Sequence, residues 1–259
     1  MPERFIPSDA DIASRCRAVT KPGLYTILPR ANRVESILPN FDKTAAQVLA
    51  TPQLGARFVQ HELYLQPGGG TKTPIKDGLE HFLFVLEGQV SLDLSGKKYP
   101  LTQGGFAYLP ADLPYTVRNP SGQKSRVLWT KRRYKPVDSQ RADLIVGNEK
   151  DVPALPCDTY LEQHLIPYEE NVAYDLAFNL LNFEPGIHFG FVESHIMEHG
   201  LYMLQGRGVY WLNGDFHEVQ TDDFIYMAPF CPQFFYAMGW VKGRYLIYKD
   251  VNRDYVDGL

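Results

Sequence analysis

An internal repeat constrains this chain more than any other feature of its sequence. The segment EHFLFVLEG at residues 80–88 returns as EHGLYMLQG at residues 198–206, a shift of 118 positions. The same shift, without a gap, relates further residues in both halves: Pro67 and Pro185, Leu94 and Leu212, Phe106 and Phe224, Pro114 and Pro232, and Arg126 and Arg244. Solenoid repeats are only about 20–50 residues long, whereas a unit of this length is the size of a whole domain. The sequence therefore predicts two tandem copies of one domain.

Each copy has the pattern of a series of short strands. Runs rich in β-branched and aromatic residues alternate with turn signals at residues 67–70, 87–88, 95–96 and 104–105. Such regular spacing is typical of an antiparallel sandwich or barrel. We therefore expect an all-β fold with two tandem β-barrels. The predicted division is an N-terminal arm and first barrel at residues 1–135, a proline-punctuated linker at 136–156, and a second barrel at 157–259.

A cluster of metal-binding residue types lies in the second copy. Glu193, His195 and His199 are close in sequence, although the whole chain has only 7 histidines. In a β-strand, side chains at i and i+2 project to the same face, so Glu193 and His195 would point together, and His199 would return from the next strand. One carboxylate and two imidazoles suit Mn, Fe, Zn or Ni better than a metal that prefers thiolates. These residues therefore predict a metal site.

This pattern resembles the cupin superfamily, whose members are small barrels of the jelly-roll type that hold a metal ion among inward-facing side chains. The residues that correspond to the first cupin motif, with the carboxylate and an imidazole exchanged, are Glu193, His195, His199 and Gly206. The second motif usually ends in proline and histidine, and here Gln233 follows the proline. The resemblance implies a bicupin in which Gln233 supplies a fourth metal ligand.

The repeat allows the first copy to be tested for the same site. The shift of 118 positions places Ile75, Asp77, His81 and Tyr115 at the four ligand positions. An isoleucine has no donor atom, and a phenol with a pKa of about 10 is a poor ligand at neutral pH. We expect the first copy to be metal-free and structural, with His81 as a hydrogen-bonded core histidine.

Over nearly its full length the chain resembles one cupin family in particular, the (S)-ureidoglycine aminohydrolases. The duplicated barrel, the degenerate first copy, the E-x-H-x-x-x-H spacing, the glutamine ligand and the last strand at residues 244–254 carry the resemblance. It implies an Mn²⁺-dependent C–N hydrolase of purine breakdown, which converts (S)-ureidoglycine to (S)-ureidoglycolate and ammonia. It also implies that Glu193, Gln233, Tyr245 and Lys249 bind the substrate, that Glu193 and Lys249 act in catalysis, and that the chain forms a homo-oligomer.

Two other classes of function stay open at this point. Two histidines and one carboxylate with open metal positions are also typical of non-haem iron enzymes, so another bicupin metalloenzyme, an oxygenase or decarboxylase, is an alternative. A cupin that binds a small molecule without catalysis is the second alternative. The glutamine ligand and Lys249 favour the hydrolase over the oxygenase, and the intact ligand set of the second copy favours an enzyme.

Charge and hydropathy exclude several classes of partner. A net charge of -4 and a pI near 6.0 give no basic surface for nucleic acid. No apolar run is long enough to span a bilayer, and residues 1–5 show no signal-peptide pattern. The three cysteines, Cys16, Cys157 and Cys231, are too widely spaced for a disulfide framework. We therefore expect a cytoplasmic protein with a small-molecule substrate.

Overall fold

The computed structural model describes residues 17–137 and 140–254, and the regular structure in these ranges is almost entirely β. Residues 1–16, which include Cys16, residues 138–139 of the predicted linker and residues 255–259 of the predicted second barrel lie outside the described residues. Within these two ranges, three short 3₁₀ turns occupy Arg30–Asn32, Pro52–Leu54 and Glu149–Asp151. The strands of the N-terminal part are β1 Val19–Lys21, β2 Tyr25–Leu28, β3 Glu35–Ser36, β4 Phe41–Ala50, β5 Phe58–Thr71, β6 Glu80–Glu87, β7 Gln89–Leu94, β8 Lys97–Thr102, β9 Gly105–Leu109, β10 Thr116–Arg118, β11 Ser125–Arg132 and β12 Ile145–Asn148.

The strands of the C-terminal part are β13 Leu155–Cys157, β14 Tyr160–His164, β15 Leu176–Phe183, β16 His199–Gln205, β17 Arg207–Leu212, β18 Asp215–Gln220, β19 Phe224–Met227, β20 Gln233–Met238 and β21 Gly243–Asp250. Among the described residues, β9-β6-β11-β5-β4 of the first copy and β19-β16-β21-β15-β14 of the second have the same strand order, with antiparallel pairing. A smaller sheet, β18-β17-β20, closes the second barrel, as β8-β7-β10 does in the first. The expected all-β fold of two tandem cupin barrels is confirmed.

The two copies are joined by segments that lie outside the repeated strands. In the first copy β9 pairs with β12, a strand of the segment predicted as a linker. In the second copy the equivalent β19 pairs with β2, a strand of the N-terminal arm. The arm therefore completes the sheet of the second copy, although sequence order groups it with the first. The division at residues 136–156 stays a prediction.

Three buried apolar clusters account for the packing. One fills the first barrel and includes Leu63 and Leu83, and a second fills the other barrel and includes Leu201 and Phe235. The third lies between the copies and combines residues of both. In this third cluster the rings of Phe82 and Phe178 stack with their centroids 3.7 Å apart. Burying these residues on both sides of the junction holds the two barrels as one packed body.

The packing at the junction also demands a glycine. A Cβ on Gly200 would lie 2.6 Å from Cζ of Phe58, which comes from the other copy. This glycine follows the proposed metal ligand His199, so close packing between copies sets the position of that strand end.

Within residues 17–137 and 140–254, no helix is long and apolar enough to cross a membrane.

Candidate metal centre and active site

Glu193 and Gln233 are held together by their own backbones. Glu193 N donates to Gln233 O at 2.9 Å, and Gln233 N donates to Glu193 O at 2.8 Å, which forms an isolated antiparallel bridge. Gln233 begins β20, whereas Glu193 lies in the long connection before β16. The bridge brings two of the four predicted ligands side by side although 40 positions separate them in sequence.

His195 and His199 face each other at this bridge. Their Nε2 atoms are 3.2 Å apart, and Nε2 of Gln233 lies 3.3 Å from Nε2 of His195. Oε2 of Glu193 is 4.0 Å from the same His195 nitrogen. All four predicted ligands therefore meet at one place.

The sequence predicted that Glu193 and His195 point together because they share one face of a strand. The two side chains do lie together, but this reason is wrong. Both residues lie in a connection rather than a continuous strand. The connection is held by the Glu193 bridge and by Phe230 N, which donates to His195 O at 2.7 Å. Long-range hydrogen bonds to the segment around β20 replace strand periodicity as the cause of the convergence.

The donor atoms fit a metal ion in spacing and in type. Ligand atoms at about 2.1 Å from one ion lie roughly 3 Å apart when they are neighbours around it. His195 has this spacing to both His199 and the Gln233 amide. A flip of that amide would present Oε1 in place of Nε2. Among residues 17–137 and 140–254, no group of three or more His, Cys, Asp or Glu side chains is itself arranged for a metal. Glu193 lies further out, with its Oε2 4.0 Å from His195 Nε2.

Burial keeps both imidazoles neutral, the form that binds metals. The pKa of His199 is lowered well below its usual value by burial, and also by the nearby His195 and Lys249. Burial likewise lowers the pKa of His195, with Lys249 adding to the effect. Nδ1 of His199 lies 3.4 Å from the Tyr248 carbonyl oxygen, so a proton on Nδ1 leaves Nε2 free. His195 Nδ1 is buried and has no hydrogen-bond partner among the described residues.

The pKa of Glu193 is shifted in the opposite direction to the pKa values of the two histidines. Burial raises the pKa of this carboxyl group, while the Lys249 ammonium opposes the rise. The raised pKa makes this carboxylate a better proton acceptor than an exposed one.

Lys249 lies on β21 directly opposite His199 of β16. Its Nζ is 3.4 Å from Oε1 of Glu162, a residue of β14. Asn179 Nδ2 donates to the same carboxylate at 2.7 Å, and Nε2 of His164 lies 3.6 Å from its other oxygen. Burial by itself would raise the pKa of Glu162, but His164, Lys249 and Asn179 outweigh burial and lower the pKa to about 2. Glu162 is therefore a stable anion that holds the ammonium beside the histidines.

Tyr245 lies on the same face of β21 as Lys249, four positions earlier, as expected from the even spacing. It is fully buried in the core of the second barrel, and the Tyr210 hydroxyl donates to its oxygen at 3.3 Å. Burial raises its pKa, and the nearby Glu193 adds to the rise. The phenol is thus a neutral donor on the inner side of the site.

The first copy has the same bridge but different side chains. Ile75 and Tyr115 form the isolated bridge that corresponds to Glu193 and Gln233. Trp129 Nε1 donates to His81 Nδ1 at 2.9 Å, and Nε2 of His81 lies 2.9 Å from Oδ1 of Asp77. Both ring nitrogens of His81 therefore have protein partners, and the Trp129 indole fills the space beside them. That the first copy binds no metal stays a prediction.

Sequence reasoning missed two residues of these sites. Glu162 precedes the metal-binding motif by more than thirty positions and has no motif of its own. The shift of 118 positions aligns Trp129 with Ile247. A large aromatic ring in one copy where the other copy has an aliphatic residue was the sequence signal that the two sites differ.

Known proteins match the chain over most of its length. A cupin-domain family model matches residues 61–131, which belong to the first copy. The chain is 33% identical over 241 residues to the (S)-ureidoglycine aminohydrolase of Escherichia coli (strain K12), covering 92% of each protein. It is 35% identical over 247 residues to a probable (S)-ureidoglycine aminohydrolase of Oryza sativa subsp. japonica, covering 94% of this chain and 78% of that protein.

A solved structure has the same fold over the same extent. The crystal structure of protein Ylba from E. coli superposes with a TM-score of 0.86 at 31% sequence identity. The match covers 96% of this chain and 99% of that one. The order of strands and the duplicated barrel are therefore shared with a protein of experimentally known structure.

Proposed function

Since this chain belongs to the (S)-ureidoglycine aminohydrolase family, a family of enzymes, we propose that it hydrolyses (S)-ureidoglycine to (S)-ureidoglycolate and ammonia with Mn²⁺ as its metal. The single observation that supports this proposal is the meeting of His195, His199, Gln233 and Glu193 beside a lysine. The site thus offers neutral metal ligands, a proton carrier and a cation within one small region.

The chemistry requires addition of water and loss of an amine at one carbon. The water oxygen bonds to the carbon that bears the amine, the C–N bond breaks, and the amine leaves as ammonia after taking a proton. A divalent metal held by His195, His199, Gln233 and Glu193 would lower the pKa of a bound water. Glu193 then carries the proton from water to the leaving amine, a role that the burial-raised pKa of its carboxyl group suits.

Lys249 and Tyr245 orient the substrate. Because Glu162 keeps the Lys249 ammonium beside the histidines, the lysine can form a charge-assisted hydrogen bond with the substrate carboxylate. The neutral Tyr245 hydroxyl can donate to the ureido oxygen on the inner side. Gln233, at the start of β20 and 3.3 Å from His195 Nε2, also contacts the substrate through its amide. The contacts with Lys249 and Tyr245, in addition to the metal, hold the substrate so that one face of the reacting carbon is presented to the water.

Nitrogen and oxygen donors, with no sulfur among the four, suit Mn, Fe, Zn and Ni alike. Mn²⁺ is proposed among these metals because the family resemblance implies it. A cytoplasmic location and a role in allantoin and purine breakdown complete the proposal. The role comes from the family resemblance, and both stay predictions.

The test is an ammonia-release assay on freshly generated ureidoglycine, with chiral analysis of the product. The Mn²⁺-loaded protein should release ammonia faster than the spontaneous reaction and yield the (S) product only. Protein stripped with a chelator should return to the spontaneous rate. A racemic product formed at the spontaneous rate by the loaded protein would refute the proposed activity.

A further inference from the structure

Asn179 is a buried polar residue inside the second barrel. It lies on β15, where Leu181 and Phe183 belong to the apolar cluster that fills this barrel. Alternate residues of a strand share a face, so the Asn179 side chain also points into the barrel. Asn179 is 0% exposed. A polar side chain in such a place needs hydrogen-bond partners, because water cannot supply them.

The orientation of the Asn179 amide is fixed by its partners. Nδ2 donates to Oε1 of Glu162 at 2.7 Å and to the Tyr168 hydroxyl oxygen at 3.4 Å. A carboxylate can only accept hydrogen bonds, so the amide nitrogen must lie on that side and the carbonyl oxygen Oδ1 on the other. Oδ1 is buried and has no hydrogen-bond partner in the part of the chain that the structure describes. A buried acceptor without a partner is unfavourable, so this oxygen suits a ligand that brings an N–H group.

Asn179 lies between the two residues proposed to orient the substrate. Its cross-strand neighbour on β21 is Ile247, which is two positions from Lys249 on one side and two positions from Tyr245 on the other. These three residues of β21 share the face that points into the barrel. Nζ of Lys249 and Nδ2 of Asn179 also approach the same oxygen, Oε1 of Glu162. The amide is therefore next to the region in which the substrate would be held.

The first copy shows that the fold does not require this amide. The shift of 118 positions places His61 at the position of Asn179 and Thr44 at the position of its carboxylate partner. The His61 ring stacks on the Trp129 indole, with the centroids 5.5 Å apart. Trp129 corresponds in turn to the smaller Ile247. The amide, the carboxylate that orients it and the smaller neighbour thus occur together in the copy that has the predicted metal ligands.

The donors and acceptors of the substrate decide which of its groups can meet Oδ1, a step that rests on the proposed function. The substrate carboxylate and the ureido oxygen only accept hydrogen bonds, and the amine is the group that leaves at the metal site. The remaining donors are the N–H groups of the ureido group. Of these, the terminal NH₂ is farther from the reacting carbon. Asn179 is likewise deeper in the barrel than His199, since both it and Leu201 pair with Ile247.

We propose that Oδ1 of Asn179 accepts a hydrogen bond from the terminal NH₂ of the ureido group and so makes the site selective for ureido substrates. Tyr245 donates to the ureido oxygen while Asn179 accepts from the nitrogen, so the two side chains recognise both ends of one amide. An acetyl or carboxyl group in the same place brings no N–H and leaves Oδ1 unpaired. A site built around such a hydrogen bond rejects an analogue that lacks the donor more strongly than an apolar pocket rejects a change in size.

The test compares two stable ligands, N-carbamoylglycine and N-acetylglycine, by titration calorimetry of the Mn²⁺-loaded full-length protein. Both ligands have the substrate carboxylate and lack the leaving amine, and they differ only in a terminal NH₂ or CH₃ group. Wild-type protein should bind N-carbamoylglycine roughly ten- to hundredfold more tightly than N-acetylglycine. Asn179→Leu, and the smaller Asn179→Ala, should each abolish this preference, because neither side chain has an acceptor.

Two control variants separate this effect from other changes in the site. Asn182→Leu alters an amide of the same strand that lies on the opposite face and accepts from Arg244, so it should keep the wild-type preference. Lys249→Met should weaken both ligands by a similar factor and also keep the preference, because both carry the carboxylate. With ureidoglycine as substrate, Asn179→Leu should raise KM about tenfold with little change in kcat, since the ureido group does not change in the reaction.

The outcomes distinguish this inference from the proposed function. Equal binding of the two ligands, or binding of neither, by an active wild-type protein would overturn the inference without any variant. A preference that survives in Asn179→Leu or Asn179→Ala would overturn it as well, and the proposed activity would stand. A protein that binds neither ligand and releases ammonia from ureidoglycine only at the spontaneous rate would refute the proposed function and the inference together.

Discussion

The Lys249 ammonium lies 3.4 Å from the Glu162 carboxylate, across the intervening strand β15. Lys249 is also the cross-strand neighbour of His199. The carboxylate thus fixes a cation next to two histidines that must stay neutral to bind a metal. Without such an anion, a lysine beside a metal ion would turn towards solvent, because like charges repel. Glu162 is therefore a positioning residue, and it makes the role of Lys249 testable.

Replacing Lys249 with methionine should lower kcat/KM without loss of metal. A charge-assisted contact with the substrate carboxylate is worth about 1.5–3 kcal/mol, which corresponds to roughly ten- to hundredfold. Steady-state kinetics of Lys249→Met, with metal content measured on the same samples, checks this. Lys131→Met is the matched control, because Lys131 occupies the equivalent position of the first copy, 3.8 Å from Asp77. If both variants keep wild-type kinetics, Lys249 does not bind the substrate.

Replacing Glu162 with glutamine should raise KM more than it lowers kcat. The amide keeps the Asn179 neighbour but no longer attracts the ammonium, so Lys249 becomes less well placed for binding. We expect an increase in KM of about three- to tenfold, corresponding to a loss of roughly 1 kcal/mol. Glu169→Gln is the control, since that exposed carboxylate lies near His164 but has no contact with Lys249. A fall in kcat alone, with KM unchanged, would contradict a positioning role.

The Glu162 carboxylate should also make the fold sensitive to acid. Its pKa is about 2 in the folded protein, against an ordinary value of about 4.3. A lowered pKa stabilises the fold above the unfolded-state value, and this stabilisation is lost as pH falls from about 4.3 through 2. For a side chain only 9% exposed, the contribution is about 3 kcal/mol.

The measurement is the free energy of unfolding of wild-type protein and Glu162→Gln between pH 7 and 3. The difference between them should be largest at neutral pH and should shrink in acid. A difference that stays constant over this range would show that the carboxylate has no lowered pKa.

The chain should bind one metal ion, in the second copy only. Elemental analysis of the purified protein should give close to one metal per chain, because Ile75 and Tyr115 replace two ligands in the first copy and Trp129 occupies the space. His195→Asn should reduce the metal content about tenfold or more while the protein stays folded. Asp77→Asn, at the equivalent position of the first copy, should leave the content unchanged. Close to two metals per chain would contradict the prediction.

The order of residues along the chain determined the fold class and the duplication, because both follow from short-range patterns. The repeated glycines illustrate this: Gly88 and Gly206 both have a left-handed backbone, with φ of 77° and 78°, where a Cβ would lie too close to the opposite strand. Spacing and resemblance also indicated which four side chains would meet in the second copy, and these four do lie together.

Only the tertiary structure decided what surrounds those side chains. Glu162 reaches Lys249 because β14, β15 and β21 are neighbours in one sheet, and no local pattern encodes the order of strands that are distant in sequence. The same reason explains why β2 completes the second barrel and why the connection at Glu193 needs the Gln233 bridge. Pairing between distant strands is a property of the whole packed chain. It brings together charged and aromatic side chains whose positions the local periodicity of the sequence cannot predict.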